Sequence, residues 1–252
     1  MSTDSAFRDE LARVYASNPC GVIPNALWKT LEEPSVESGR VHYSDRRVAA
    51  LSLEDDGRLL VAWHRDGCVT SAVQDALARV RLALLHDRIA TNAEPLTERF
   101  SQRTAFFRLQ HDMSQRAAGK LPGGFSIRDV AMAEDAHDVS LFIAKCYDDI
   151  RMTPGMVRSW TTRPVFVPTL WIWIDEASTK RPAALGIAEM DYSVGELSLE
   201  WIQVLPSFRR RGLAHALVAE LLSRASSDAH IATASGIQGN PAEAVPRLRI
   251  PR

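Results

Sequence analysis

Three apolar runs follow one another in the second half of the chain, "TLWIWID", "AALGIAEMD" and "LSLEWIQVLP", the last two joined by a turn around Ser193 to Gly195. Apolar runs of this length bounded by turn residues read as strands, and connections this brief place successive strands antiparallel. The period then changes. From Arg210 to Ala225, Leu213, Ala216, Leu217, Leu221 and Leu222 recur at helical spacing, and "AHIATAS" follows as a further strand. A strand, a helix and a strand in that order form a crossover, which pairs strands in parallel. The expected fold class is therefore α/β, a mixed, mostly antiparallel central sheet flanked by helices.

The elements before these runs fit the same layout. "FSIRDV" reads as a short strand, and "AEDAHDVSLFIAKCYD" carries Val139, Phe142, Ile143 and Cys146 on one helical face. A second helix starts with Thr153 as cap and Pro154 in its first turn and runs towards Trp160. Asn240-Pro241 opens a final short helix. Upstream, Ser114 to Ile127 interrupts all periodicity with small residues, Pro122 and Gly123-Gly124. The chain accordingly divides into an amino-terminal α/β domain over 1–118, a linker over 119–124 and a second domain over 125–252.

The first half has a similar order. Helices "AFRDELARVYA" and "PNALWKTLEE" precede strands "RVHYS", "RRVAALSLE" and "RLLVAWH", then helix "SAVQDALARVRLALLHD" and strand "TAFFRLQH". Two explanations stay open: a diverged duplication, or a common order of elements that coincides. Trp28, Trp63, Phe106 and Phe107 are most simply the core of this half.

With 252 residues the chain has room for two packed units. Its 30 basic and 31 acidic residues, net charge -1, give no reason to expect nucleic acid or a membrane as partner. No apolar run approaches the ~18 residues of a spanning helix, and the charged start is unlike a secretory signal, so a cytoplasmic location is expected. Cys20, Cys68 and Cys146 share no metal-ligand spacing and read as reduced core thiols, with chemistry at Cys146 as the alternative. No metal site is expected.

Against this even charge the stretch "VLPSFRRRGLAHALV" concentrates three arginines and a glycine where a strand becomes a helix. A helix start presents unpaired amides and the positive end of the dipole, Gly212 and Ala214 keep the first turn open, and arginines add charge-assisted bonds to phosphate oxygens. Three arginines at the positive end of a dipole suggest an anion rather than solvent.

These residues resemble a known family. Arg209-Arg210-Arg211-Gly212-Leu213-Ala214 is similar to the Arg/Gln-x-x-Gly-x-Gly/Ala pyrophosphate signature of the GNAT superfamily of acyl-CoA N-acyltransferases, and the likeness extends roughly from Phe125 to Asn240. The resemblance implies acetyl-CoA, or another acyl-CoA, as cosubstrate. It implies that Arg209, Arg210, Arg211, Gly212, Leu213 and Ala214 hold the pyrophosphate, that the amides of Ile202 and Val204 pair with the pantetheine arm, and that Asn240 also contacts the cofactor. It further implies acyl transfer to a primary amine of a small molecule or peptide by direct attack.

An alkyl amine with a pKa near ~10 must lose a proton before it attacks. Glu200 is the leading base, on the same face as Ile202 and Val204 if a period of two holds and no bulge intervenes. Glu189 and Asp191 are the reserve. Trp160, Trp171 and Trp173 lie where the family shapes acceptor choice, with ordinary core packing as the alternative.

The carboxyl end departs from the family. Val245-Pro246 stands where the family's Leu-Tyr would, and no tyrosine or Gly-Phe follows. Three readings stay open: an altered tail, substitution by Tyr147 or Tyr192 as general acid, or a catalytically weak acyl-CoA-binding or regulatory module. Without closing strands an edge of the sheet is left exposed, which a second subunit, giving a homodimer, or the amino-terminal half would cover. The first half keeps Gly67 but has no Arg-x-x-Gly-x-Gly/Ala after its strand, so it is expected not to bind the cofactor.

Overall fold

A computed structural model describes residues 3–114, 119–147 and 150–237. The elements run α1 (Thr3–Ser17), α2 (Leu27–Leu31), β1 (Arg40–Ser44), β2 (Arg47–Asp55), β3 (Arg58–His64), α3 (Ser71–Arg79), β4 (Leu82–Ala83), α4 (Asp87–Asn92), α5 (Glu94–Thr97) and β5 (Phe106–Asp112). They continue as β6 (Phe125–Asp129), α6 (Met132–Cys146), α7 (Pro154–Trp160), β7 (Trp171–Glu176), β8 (Pro182–Asp191), β9 (Glu196–Val204), α8 (Leu213–Arg224) and β10 (Ile231–Ile237). Backbone proximity separates a first unit up to Leu109, which also takes in Ser235, from a second unit, Gln110–Ala234.

One sheet has the order β1-β2-β3-β4 and the other β5-β10-β9-β8-β7-β6. In the first, β1, β2 and β3 are antiparallel neighbours and β4 joins β3 in parallel. In the second, β7, β8 and β9 are antiparallel and β10 joins β9 in parallel. Helix, helix, three antiparallel strands, helix and parallel strand thus occur twice with the same connections, and the mixed α/β class expected from the sequence is the one observed.

Strand alternation builds the layers of the second unit. Ile172 and Ile174 of β7 face α8, packing with Leu197, Leu217 and Leu221. Trp171 and Trp173 point the other way into the layer under α6 and α7, against Phe142, Ile143 and Trp160. Both tryptophans are fully buried, so they are core and line no open pocket. α7 begins as expected, with the Thr153 hydroxyl accepting the Met156 N–H at 3.2 Å. In the first unit Leu59, Val73, Leu77, Val80 and Ile89 form a core around α3.

Several sequence expectations need correction, and Phe106, read as core of the first half, is 53% exposed. The helix read over "SAVQDALARVRLALLHD" ends at Arg79, and Leu82–Ala83 is β4 instead. Val80 turns extended and is fully buried, while Arg99, from twenty residues further on, donates to the carbonyls of Leu77 and Val80 at 2.8 and 2.5 Å. That distant guanidinium satisfies carbonyls a continuing helix would have used. The counterpart of β10 is therefore β4. Strand β5, read as that counterpart, is placed beside β10, so the edge expected to be exposed is covered and the exposed-edge reason for a second subunit falls away. The expected helix at Asn240-Pro241 lies outside the described residues.

Candidate active site

Strand β9 leaves its parallel neighbour part-way along. Pairing with β10 runs from Glu196↔Ile231 to Leu199↔Ala234 and ends there. Beyond that point β9 continues against β8 alone, from Trp201↔Ile187 to Val204↔Ala184. The register shifts between Ile187 and Ala188, which face Trp201 and Leu199, so Glu200 is the additional residue of a bulge. A bulge bends its strand and raises the local twist, which explains why β9 and β10 part at this residue. Ile202 and Val204 lie on the stretch that has left β10.

The bulge also corrects the face assigned to Glu200. Leu197 and Leu199 pack on the α8 side together with Ile202 and Val204, whereas Trp201 packs on the α6–α7 side. Alternation counted from Glu200 to Val204 is broken by the extra residue. Glu200 is half-buried at the point of divergence.

After β9 the chain makes a 3-10 turn over Pro206–Phe208 and enters α8 through the arginines. Arg210 and Gly212 both have left-handed backbones, φ 62° and 84°, and Gly212 is the N-cap with no side-chain capping bond. Positive φ is why glycine stands there, a stricter reason than the open approach inferred from the sequence. α8's backbone bonding starts with Ala216 N–H donating to Gly212 C=O at 3.0 Å, so the amides just before it face outward into the turn. Left-handed residues alternating with others curl a backbone into a concave set of N–H groups that suits an oxyanion.

The arginines of this turn are exposed. Arg209 Nε donates to the Val204 carbonyl at 3.3 Å, tying the turn back to β9. Arg211 Nη2 donates to the Ser207 carbonyl at 3.4 Å, and its guanidinium lies 5.3 Å from the Phe208 ring centroid. None of the three is paired with a carboxylate among the described residues. Leu213 is buried and Ala214 half-buried in the first turn of α8, whereas Asn240 lies outside the described residues.

The reserve carboxylates are occupied elsewhere. Glu189, 1% exposed, accepts from Arg163 Nη1 at 2.9 Å. Asp191 accepts from the Ser193 amide at 2.9 Å and its hydroxyl at 2.5 Å, which shapes the β8–β9 turn. Both stand opposite the closed part of β9, at Ser198 and Glu196. Tyr192 is exposed on that same turn, away from the divergence.

Tyr147 is placed differently. It meets Trp201 edge-on at 6.0 Å, next to Glu200, and Trp201 stacks on Trp160 at 5.7 Å with planes 14° apart. Arg163 in turn lies 5.4 Å from the Trp160 ring centroid. Gln203, two residues from Trp201, is 3% exposed, and neither amide atom has a hydrogen-bond partner among the described residues. Sequence reasoning gave Gln203 no role. Its signal was a lone amide inside the otherwise apolar "WIQVL".

Cys146 ends α6 near this cluster. Burial pushes its thiol up, and the opposing charge of Arg209 does not offset it, so this is not an activated nucleophile. The three cysteines are free, but none is core as expected: Cys68 is exposed, and Cys20 and Cys146 are half-buried. No cluster of metal-ligating side chains occurs among the described residues, and no helix among them is long and apolar enough to cross a membrane.

No family model matches the chain, and no curated protein does. Solved structures resemble it throughout. A GCN5-related N-acetyltransferase from Sphaerobacter thermophilus is 17% identical, over 98% of this chain and 87% of that one, with a TM-score of 0.64. A tandem GNAT protein from the clavulanic acid biosynthesis pathway is 14% identical over 95% and 89%, with a TM-score of 0.57. A GNAT-family acetyltransferase from Colwellia psychrerythraea is 14% identical over 93% and 88%, with a TM-score of 0.55. At these identities the likeness is one of fold, and with the strand order repeated in both sheets it is decisive there: the chain has the GNAT superfamily fold, in two GNAT-like halves.

Proposed function

We propose that the second unit is an acyl-CoA-dependent N-acyltransferase, transferring an acetyl group from acetyl-CoA to a primary amine of a small molecule or peptide by direct attack. One observation carries this reading: β9 parts from β10 at Glu200, and the same strand leads into the glycine-capped, arginine-flanked start of α8. An extended cosubstrate with an anionic end needs an open strand edge and an anion cradle on one continuous stretch of chain. The acetyltransferase names carried by the similar structures support the same chemistry.

In this reading the amides entering α8, with Arg209, Arg210 and Arg211, hold the pyrophosphate, and the backbone of Ile202 and Val204 holds the pantetheine arm. Leu213 buries the first turn of α8 and Ala214 keeps it open. Asn240 is retained as a cofactor contact. Glu200 accepts a proton from the substrate ammonium, directly or through water. The neutral nitrogen then bonds to the thioester carbonyl carbon as the carbon–sulfur bond breaks, giving an amide and the CoA thiolate. Tyr147 is the candidate donor to that thiolate, although a thiol with pKa near ~8.5 leaves tolerably without one. We place the reaction in the cytoplasm, without a metal.

The test pairs calorimetric CoA binding with amine-dependent thiol release from acetyl-CoA. CoA binds the wild type, and Gly212→Glu, which puts a carboxylate and a side chain into the cradle, abolishes binding. Glu200→Gln leaves CoA affinity unchanged while removing the acidic limb of the pH–rate profile. Absence of CoA binding, or binding unaltered by Gly212→Glu, rejects the reading. CoA binding without thiol release across a broad amine panel selects instead the acyl-CoA-binding module favoured by Val245-Pro246.

A further inference from the structure

The first unit opens in the same place as the second but is furnished differently. β4 pairs with β3 only at Arg58↔Leu82 and Leu59↔Ala83, and Leu84 N–H adds a bond to the Leu59 carbonyl at 2.9 Å. β3 continues to His64 without β4. At this open end lies a cavity of about 240 Å³. Trp63, His64 and Arg65 line it from β3 and the following turn, and His86, Arg88 and Ile89 from the start of α4. Val14 and Val22 complete its apolar wall, and Ser17, Asn18 and Gly21 line it at the end of α1 and just beyond.

Besides Ser17, whose hydroxyl donates to the Val14 carbonyl at 2.7 Å, and the amide of Asn18, the polar side chains of the lining are His64, Arg65, His86 and Arg88. His64 Nδ1 accepts the Asp66 amide at 3.0 Å, and His86 Nδ1 accepts the Arg88 amide at 3.2 Å. An imidazole nitrogen that accepts a hydrogen bond carries no proton, so each neutral ring holds its hydrogen on Nε2 and keeps a donor to offer. Arg65 has only a 3.9 Å approach to Asp66, between exposed groups, which is a weak pairing. Arg88 has no carboxylate partner among the described residues. No acidic side chain lines the cavity.

The floor is specified as well. Gly67 has φ 75°, and a Cβ there would sit 3.4 Å from Arg88 Cβ and 3.5 Å from its Nε. Those distances are ordinary contact, so it is the positive φ and not lack of space that calls for glycine in this turn beside Arg88. Two guanidiniums and two imidazoles, with no acidic side chain in the lining and backed by Trp63, Val22 and Ile89, match an oxyanion on a short apolar body.

We propose that this cavity binds a small organic carboxylate, its charged end against Arg65 and Arg88 and the imidazole donors, and its apolar end against Trp63 and Ile89. Planar guanidiniums suit a planar carboxylate, and the apolar wall disfavours a fully hydrated inorganic ion. The site is independent of the acyl-transfer reading, since no residue is shared.

The full chain is titrated calorimetrically with butyrate, benzoate and succinate, and separately with inorganic phosphate and with CoA. At least one carboxylate binds at one site per chain, and Arg65→Gln/Arg88→Gln lowers its affinity by about tenfold or more while leaving CoA binding as in the wild type. On unmodified protein, phenylglyoxal labelling of Arg88, mapped by mass spectrometry, slows when that carboxylate is present. No binding by any of the three acids, preference for phosphate over all of them, affinity unchanged in the double variant, or Arg88 labelling indifferent to the ligand would each overturn the proposal.

Discussion

Gly212 and Gln203 show opposite relations between a residue and its surroundings. Gly212 is required by its own backbone: at φ 84° a side chain strains the left-handed conformation. Gly212→Ala should therefore lower unfolding stability by about 1–2 kcal/mol in urea titration, even though the new methyl meets nothing nearer than Pro122 Cγ at 3.5 Å. Gln203 is not required by the fold. Its amide is buried without partners, and an apolar replacement removes two unsatisfied groups. Gln203→Leu should be as stable as the wild type or up to about 1 kcal/mol more stable, yet raise the KM for the amine if this amide awaits a substrate. An unchanged KM would assign Gln203 no part in acceptor binding. Glycine in the phosphate-like signature was legible because the motif names the residue. The unsatisfied amide was not, since alternation gives a face and not what lies on it.

At the scale of elements, one carboxylate joins three of them. Asp135 in α6 accepts from Arg128 Nη1 of β6 at 2.6 Å, from the Ala131 amide at 3.0 Å and from Trp173 Nε1 of β7 at 3.0 Å. Burial pushes its carboxyl up, but the Arg128 hydrogen bond and charge together with the two N–H donors outweigh that and hold it below the usual range. A depressed carboxylate contributes stability that is present above its unfolded pKa, near ~3.9, and that is lost as pH falls through the lower folded value. Denaturation curves from pH 6 downward should show wild type losing stability below about pH 4, with Asp135→Asn less stable at neutral pH but less sensitive to acid. An equal acid slope in both proteins would remove Asp135 from this role. The strands and their turns were readable because apolar runs between turn residues are local. The end of α3 was not, because Arg99, which caps it, lies outside any window that a periodicity can scan.

The two GNAT-like halves of the molecule differ at the helix start that matters most. In the second, α8 is capped by Gly212 and its first amides are uncommitted to a side chain. In the first, Thr70 caps α3 with its own hydroxyl, which accepts the Val73 amide at 3.3 Å. A side chain thus occupies the position a phosphate would need, so calorimetry should give one CoA per chain. Two equivalent sites would contradict this difference. Element order made the repetition visible in the sequence, but its register was misread, because β4 has only two residues and was hidden within an apolar helical pattern. The covering of β10 by β5 has a consequence for synthesis on the ribosome. β5 is translated long before β10, and its place in the sheet exists only once nearly all the described chain has emerged. Until then it is an unpaired strand that must be kept from other chains, and pairing so distant in sequence makes closure of the sheet a late and slow event in folding.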